Sequence, residues 1–127
     1  MLLDSAFLID LLDKDSGAVA KLDEIEAEQM PVGIPTLVVV EVGVGLSVAS
    51  EQELFDDVIG SVPVLPLDRA AATRAVEIQR DLRAAGREIG AVDVMIAGTA
   101  AASSDPTVLT RNVEQFERVE AIDVESY

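Results

Sequence analysis

Short apolar segments alternate with longer amphipathic segments along the chain, and this pattern predicts strands separated by helices. The predicted strands are bounded by Pro, Gly or polar residues and cover residues 1–3, 32–34, 62–67, 107–110 and 121–124. The predicted helices run from Asp4-Ser5 to about Leu12, Ser16 to about Gln29, Ser50 to Ile59, Asp68 to Gly86 and Gly90 to Ala102, with a short one from Asn112. Strands that alternate with helices predict one α/β domain, residues 1–127, with a parallel sheet covered on both faces.

The segment 35–45 fits two kinds of structure. Pro35 suits the first turn of a helix. The run from Leu37 to Val40 instead favours a strand, and Gly43 and Gly45 each weaken a helix by about 1 kcal/mol. The local pattern leaves both alternatives open.

Three apolar stretches each contain a single carboxylate. Asp4 follows an apolar start, Glu41 is the only charged residue from 30 to 50, and Asp93 is the only one from 90 to 104. A buried carboxylate without a partner costs several kcal/mol or takes up a proton, so something must compensate it. Three such groups brought together indicate a divalent metal site.

The composition limits which chemistry is available. The chain contains no Cys and no His, which excludes thiol nucleophiles, Ser-His-Asp triads and zinc sites with imidazole ligands. Carboxylate, hydroxyl and amide oxygens remain, and these suit a hard ion such as Mg²⁺ or Mn²⁺. Such an ion activates water and stabilises charge on a phosphoryl oxygen.

The order of the predicted elements indicates where these groups lie. Sites in open parallel sheets form beyond the carboxyl ends of the strands. Asp4 follows the first predicted strand, and residues 110–112 follow the fourth. Glu41 and Asp93 reach the same crevice if they lie on helices that follow this edge. Each carboxylate also has a purely structural alternative: a helix cap for Asp4, an arginine partner for Glu41, and a turn cap or solvent for Asp93.

The charge balance is strongly acidic, with 24 acids, 9 bases and a net charge of −15. Only two of the bases are lysines, and aromatic residues make up 3% of the chain. These features predict a protein of a salt-rich cytoplasm, because molar salt screens self-repulsion. The alternative is an ordinary acidic protein with a basic partner. We expect no membrane span and no secretion signal, because acids interrupt the apolar runs and the first 12 residues contain no base.

Four stretches, residues 2–12, 35–41, 89–97 and 109–116, resemble PIN-domain ribonucleases, specifically the toxins of VapBC-type toxin–antitoxin pairs. The order and spacing of these stretches extend over essentially the whole chain. The resemblance implies a three-layer α/β/α domain with a five-stranded parallel sheet, a helix in the ambiguous segment, and Mg²⁺- or Mn²⁺-dependent cleavage of RNA.

The resemblance also implies roles for individual residues. Asp4, Glu41 and Asp93 fall on the acidic metal ligands of the family. The polar residues that match positions near the site are Ser5, Thr110 and Asn112.

One position departs from the family pattern. Gln115 stands where a fourth acid is common, and the neighbouring Glu114 would point elsewhere in a helical turn. We therefore expect one well-held ion and a second that binds weakly or only with substrate. A catalytically weak or silent PIN-like module that binds RNA or protein is the alternative function.

The resemblance implies three partners: an RNA substrate (transfer or ribosomal RNA), a cognate antitoxin and a second copy of the chain. Basic residues that could contact RNA are Arg111 beside the predicted site and, on one face of the long helix, Arg69, Arg80, Arg83 and Arg87. A solvated face balanced by nearby acids is their alternative role. Apolar residues that could face the antitoxin, or else belong to the core, are Val19, Leu22, Ile25, Leu54, Val58 and Ile59.

Overall fold

The computed structural model describes residues 1–127 and contains five short strands and seven helices. The strands are β1 (Leu2–Leu3), β2 (Ile34–Pro35), β3 (Val64–Leu65), β4 (Thr107–Leu109) and β5 (Asp123–Glu125). The helices are α1 (Ser5–Leu12), α2 (Ser16–Ala27), α3 (Thr36–Gly45), α4 (Ala49–Ser61), α5 (Arg69–Ala84), α6 (Ala91–Ala101) and α7 (Val113–Phe116). The predicted α/β class and the order of its elements are confirmed.

The strands form two parallel sheets rather than the single five-stranded sheet that was predicted. One sheet has the order β1-β4-β5, and the other pairs β2 with β3. An isolated parallel bridge between Leu2 and Gly33 joins them. Two backbone hydrogen bonds cross this seam, from Leu3 N to Gly33 O at 2.9 Å and from Gly33 N to Met1 O at 3.0 Å. Backbone pairing thus links the two sheets at this point without forming a regular ladder.

Gly33 is closely packed at this seam. A Cβ atom at position 33 would lie 2.5 Å from Leu65 Cδ1 and 3.3 Å from Leu2 Cδ2. Side chains from both sheets therefore close over the backbone of Gly33, and a larger residue would require the Leu65 and Leu2 side chains to shift.

The ambiguous segment is helical, as the resemblance implied. Val38 and Val42 are buried one turn apart in α3, which packs against α1 and α6. This apolar contact outweighs the β preference of the valines. Pro35 does not occupy the first helical turn as predicted: it ends β2 and immediately precedes α3.

The helix caps follow the predictions in part. Asp4 and Asp68 accept hydrogen bonds from the amides of Phe7 and Ala71, both at 2.9 Å, and so cap α1 and α5. Ser16 does not cap α2, because Asp15 occupies that position and accepts from Ala18 N. Ser50 does not cap α4 either, since the helix already begins at Ala49 and has no side-chain cap. None of the seven helices has both the length and the apolar character needed to cross a bilayer.

Candidate active site

The three predicted acidic residues line one cavity of about 170 Å³. Asp4 follows the end of β1, Glu41 lies in α3 and Asp93 lies in the first turn of α6. Other residues that line the cavity are Ser5, Ala6, Ile9, Ile96, Arg111 and Asn112. The cavity therefore lies beyond the carboxyl ends of β1 and β4, where the order of elements predicted it.

Asp4 is almost completely buried, with 2% of its surface exposed. Burial, with a contribution from the negative charge of Asp93, raises the pKa of this carboxyl to about 6. Hydrogen bonds from Thr110 and from the amide of Phe7, together with the charge of Arg111, act in the opposite direction. Asp4 is thus both the cap of α1 and the most strongly perturbed carboxyl of the cavity.

Asp93 and Glu41 are less buried than the apolar sequence around them suggested. Asp93 is half-buried, and Glu41 is exposed, because it lies on the solvent side of α3. Burial raises the pKa of Asp93, and the negative charge of Glu41 raises it further. None of the three acids forms an ion pair with a basic side chain, so the arginine partner considered for Glu41 is absent.

Hydroxyl and amide groups complete the cavity wall. Thr110 is fully buried, and its Oγ1 accepts a hydrogen bond from Asn112 N at 2.9 Å. This bond fixes the turn that brings Asn112 to the cavity before α7 begins. The hydroxyl of Ser5 is buried without a hydrogen-bond partner, so it is available to a bound group.

Other predicted residues lie outside the cavity. Gln115 and Glu114 are exposed on α7, and Glu114 lies 3.9 Å from Arg118. Arg87 is not part of the long helix, because α5 ends at Ala84, and it lines a different cavity. Arg83 is paired with Glu88 at 3.3 Å. Arg111 is therefore the one basic residue in the wall of the acidic cavity.

Two residues beside the cavity were missed by sequence analysis. The Asp10 carboxylate accepts hydrogen bonds from Arg111 through Oδ1 and from the Tyr127 hydroxyl through Oδ2, the latter at 2.6 Å. Asp10 has the sequence spacing of an ordinary polar residue in an amphipathic helix. No local signal links it to partners that lie 101 and 117 positions away.

The donors of the cavity fit a hard divalent cation in chemical type. The cavity offers carboxylate, hydroxyl and amide oxygens, and its acids have no cationic partner. No group of three acidic side chains stands close enough to hold an ion in the present rotamers. The site thus brings suitable donors to one place without arranging them as a finished coordination shell.

Comparisons with known proteins agree with the fold. The PIN domain family profile matches residues 1–122. The chain is 29% identical over 128 residues to "tRNA(fMet)-specific endonuclease VapC" of Shigella flexneri, covering 99% of this chain and 96% of that protein. It is 31% identical over 105 residues to the protein of the same name from Salmonella typhimurium, covering 81% and 79%.

Solved structures give the same result. DNA-bound VapBC from Salmonella typhimurium superposes with a TM-score of 0.86 at 26% identity, over 98% of this chain and 96% of that one. VapBC2 from Rickettsia felis superposes with a TM-score of 0.83 at 22% identity, over 99% and 97%. The chain therefore belongs to the PIN-domain family. Within it, the chain is VapC-like, which confirms the resemblance seen in the sequence.

Proposed function

We propose that this chain is an endoribonuclease toxin of a VapBC-type pair, and that Asp4, Glu41 and Asp93 hold Mg²⁺ or Mn²⁺ for cleavage of RNA phosphodiester bonds. One observation carries the proposal: acids from three separate elements line a single cavity and have no cationic partner within the chain. Burial and mutual repulsion raise the pKa of Asp4 and Asp93, and a divalent cation would offset both effects.

Each residue has a part in this proposal. A bound divalent ion of this class supplies water activation and neutralises charge on a phosphoryl oxygen. Asp4, Glu41 and Asp93 would hold the ion, with the exposed Glu41 on the solvent side of the cavity. The free hydroxyl of Ser5 and the amide of Asn112 orient water or the ribose-phosphate backbone, while Thr110 fixes both Asp4 and the turn at Asn112.

The names of the relatives indicate which RNA to assay first. Both curated relatives are called tRNA(fMet)-specific endonucleases, which favours transfer RNA over ribosomal RNA as the substrate class. We expect the activity in the cytoplasm, where both RNAs occur.

The direct test is RNA cleavage by carboxylate variants. Asp93→Asn keeps the size of the side chain and removes its charge, so we expect a loss of at least about 100-fold in kcat with Mg²⁺ present. Asp56→Asn is the matched control, because it removes the same charge from an exposed position on α4. Cleavage of initiator tRNA by Asp93→Asn at the wild-type rate would refute the mechanism.

A silent PIN-like module is the second candidate. It is favoured by the loose arrangement of the three acids and by Gln115, which lies exposed outside the cavity where the family commonly has a fourth acid. Calorimetric titration with Mn²⁺ separates the two candidates. Carboxylate-dependent binding supports the nuclease, and its absence supports the silent module.

An apolar groove between α1, α2 and α4 is where we propose that the antitoxin binds. The groove has a volume of about 180 Å³ and is lined by hydrophobic residues alone: Leu8, Leu11, Leu12, Leu22, Leu54, Phe55 and Val58. The argument for this occupant is that proteins of similar fold include a toxin–antitoxin complex from Klebsiella pneumoniae and a member of the VapBC family of toxin–antitoxin systems from Mycobacterium tuberculosis. Helix α1 lines both the groove and the acidic cavity, so an antitoxin segment in the groove could place a basic side chain near the carboxylates.

A second copy of the chain is the occupant we propose for the exposed face of α3. Val40 and Val44 lie one turn apart and are 60% and 82% exposed. The stretch from residue 42 to 50 carries no charge and Glu41 is the only charged residue of α3, so two copies with a net charge of −15 meet few acids there. We expect Val44→Asp to convert a dimer to a monomer in light scattering at high salt, and a wild-type monomer would overturn the assignment.

A further inference from the structure

We infer that Asp10 and Tyr127 are positioning residues that hold the Arg111 guanidinium at the rim of the acidic cavity, away from Asp4, Glu41 and Asp93 and available to an RNA phosphate. The inference rests on the proposed function for the phosphate contact. The restraint on Arg111 itself rests on geometry alone.

Arg111 forms its ion pair with an acid outside the cavity. Arg111 lines the cavity together with three acidic residues, yet its ion pair is with Asp10, which does not line the cavity. The side chain of Asp10 is only 13% exposed, whereas that of Arg111 is 53% exposed. The anchor is therefore protected from water while the cation remains accessible.

Asp10 is itself held by two partners. Its Oδ1 accepts from Arg111 and its Oδ2 accepts from the Tyr127 hydroxyl at 2.6 Å, so both oxygens are occupied. The ring of Tyr127 packs edge-on against Phe7, with centroids 5.0 Å apart and planes at 78°. The amide of Phe7 donates to Asp4, so one residue contacts both the arginine support and the cavity acid.

The consequence is a separation of opposite charges inside one site. A free arginine beside three carboxylates would pair with them and compete with a divalent ion. Asp10 competes with the cavity carboxylates for Arg111, because it pairs with the guanidinium and neutralises its charge at the rim. The same restraint leaves the exposed donors of Arg111 free to contact a phosphate oxygen, for which the planar guanidinium is suited.

The restraint can be measured without ion or RNA. In the wild-type chain, we expect NMR of the Arg111 side chain to show slow rotation about the Nε–Cζ bond. Asp10→Asn and Tyr127→Phe should both speed up this rotation, and Tyr127→Phe does so with no change of charge or of ring packing. Fast rotation in the wild-type chain would overturn the inference, even if the chain proves to be an active nuclease.

The effect on ion binding is tested by Mn²⁺ titration. We expect Asp10→Asn to bind Mn²⁺ about tenfold more weakly than the wild type, as loss of an outer-shell partner typically does. Asp13→Asn is the matched control for charge, since Asp13 is exposed at the end of the same helix. Adding Arg111→Ala to Asp10→Asn should restore the affinity, because the competing cation is gone. Equal affinities in Asp10→Asn and Asp13→Asn would contradict the proposed separation of charges.

The proposed RNA contact predicts a change in RNA affinity opposite to the change expected from net charge alone. Asp10→Asn makes the chain less acidic, which alone would tighten binding of a single-stranded RNA oligonucleotide. We expect weaker binding in chelator and a higher KM in cleavage assays, since Arg111 is no longer held at the rim. Arg111→Ala should reduce the salt slope of binding by about one, whereas Arg74→Ala should not. Tighter RNA binding by Asp10→Asn would refute the phosphate contact but leave the NMR result to decide the restraint.

Discussion

Gly98 of α6 packs against Ala75 of α5 so closely that a Cβ atom at position 98 would lie 2.7 Å from the Ala75 Cβ. The same atom would lie 2.7 Å from the backbone oxygen of Ala71. Helix α6 also carries Asp93 in its first turn. The close contact between α5 and α6 therefore helps to position this carboxylate in the cavity.

Gly98→Ala should therefore destabilise the fold. Two of the nearest atoms belong to the backbone and cannot move aside, so we expect a loss of about 1–3 kcal/mol in the free energy of unfolding. Gly60→Ala in α4 is the matched control, because no heavy atom lies within 4 Å of its added Cβ. That substitution should stabilise the helix by about 0.5–1 kcal/mol. Urea unfolding of the two variants measures both changes, and equal effects would contradict the close packing.

The raised pKa of Asp4 predicts how stability depends on pH. The folded state holds the Asp4 proton more tightly than the unfolded chain does, so this contribution is full below about pH 4 and is lost as the pH rises through about 6. At pH 8 in chelator, the ionised carboxylate then costs about 3 kcal/mol relative to a neutral group. Asp4→Asn keeps a cap and removes the charge, so it should be more stable than the wild type at pH 8 and similar near pH 4.

Asp15→Asn is the control for this comparison. Asp15 also caps a helix through its carboxylate, but it is exposed on the surface. Its substitution removes the charge of a capping carboxylate without removing a buried one, so the difference between the two variants reports the burial of Asp4. A wild-type chain that gains stability from pH 4 to pH 8, relative to Asp4→Asn, would contradict the burial argument.

The net charge predicts a strong dependence on salt. At −15, self-repulsion opposes folding in dilute buffer, and the Debye length falls from about 10 Å at 0.1 M to about 3 Å at 1 M. We expect the free energy of unfolding to rise with NaCl by an amount on the order of 1–2 kcal/mol. Glu53→Lys with Asp56→Lys, two exposed changes on α4 of two charges each, brings the net charge from −15 to −11 and should flatten this dependence. An unchanged salt slope would exclude self-repulsion as its cause.

The apolar groove predicts which substitutions release the antitoxin. Leu54 lines the groove and is 42% exposed, so Leu54→Asp should abolish co-purification with the protein of the adjacent reading frame while leaving the fold intact. Val76→Asp is the control, since Val76 is 48% exposed on α5 and does not line the groove. Retained binding by Leu54→Asp would place the antitoxin elsewhere.

The sequence predicted those parts of the fold that depend on neighbouring residues. The caps at Asp4 and Asp68 follow from local hydrogen bonding, and the order of strands and helices follows from the apolar pattern. The helix at residues 36–45 could not be decided locally, because burial of Val38 and Val42 against other helices determines it. The division into two sheets depends on backbone pairing between segments distant in sequence, which no local pattern encodes.

The sequence predicted which acidic residues line the cavity better than it predicted how buried each of them is. The sequence identified Asp4, Glu41 and Asp93 as carboxylates in apolar segments, and the structure places all three in one cavity. The sequence wrongly suggested that Glu41 is buried. A helix within an apolar segment can still have one side exposed to solvent, and Glu41 lies on that side of α3. The link from Asp10 to Tyr127 depends on tertiary proximity alone.

The seam between the two sheets separates the elements that carry two of the cavity acids. Asp4 follows β1 on one side of the seam, while Glu41 lies on the helix that follows β2 on the other side. A local opening at Leu3 and Gly33 would move these two acids apart without melting either sheet. Hydrogen exchange at those two amides would therefore report this opening, and we expect an added divalent cation to slow the exchange if it binds both acids.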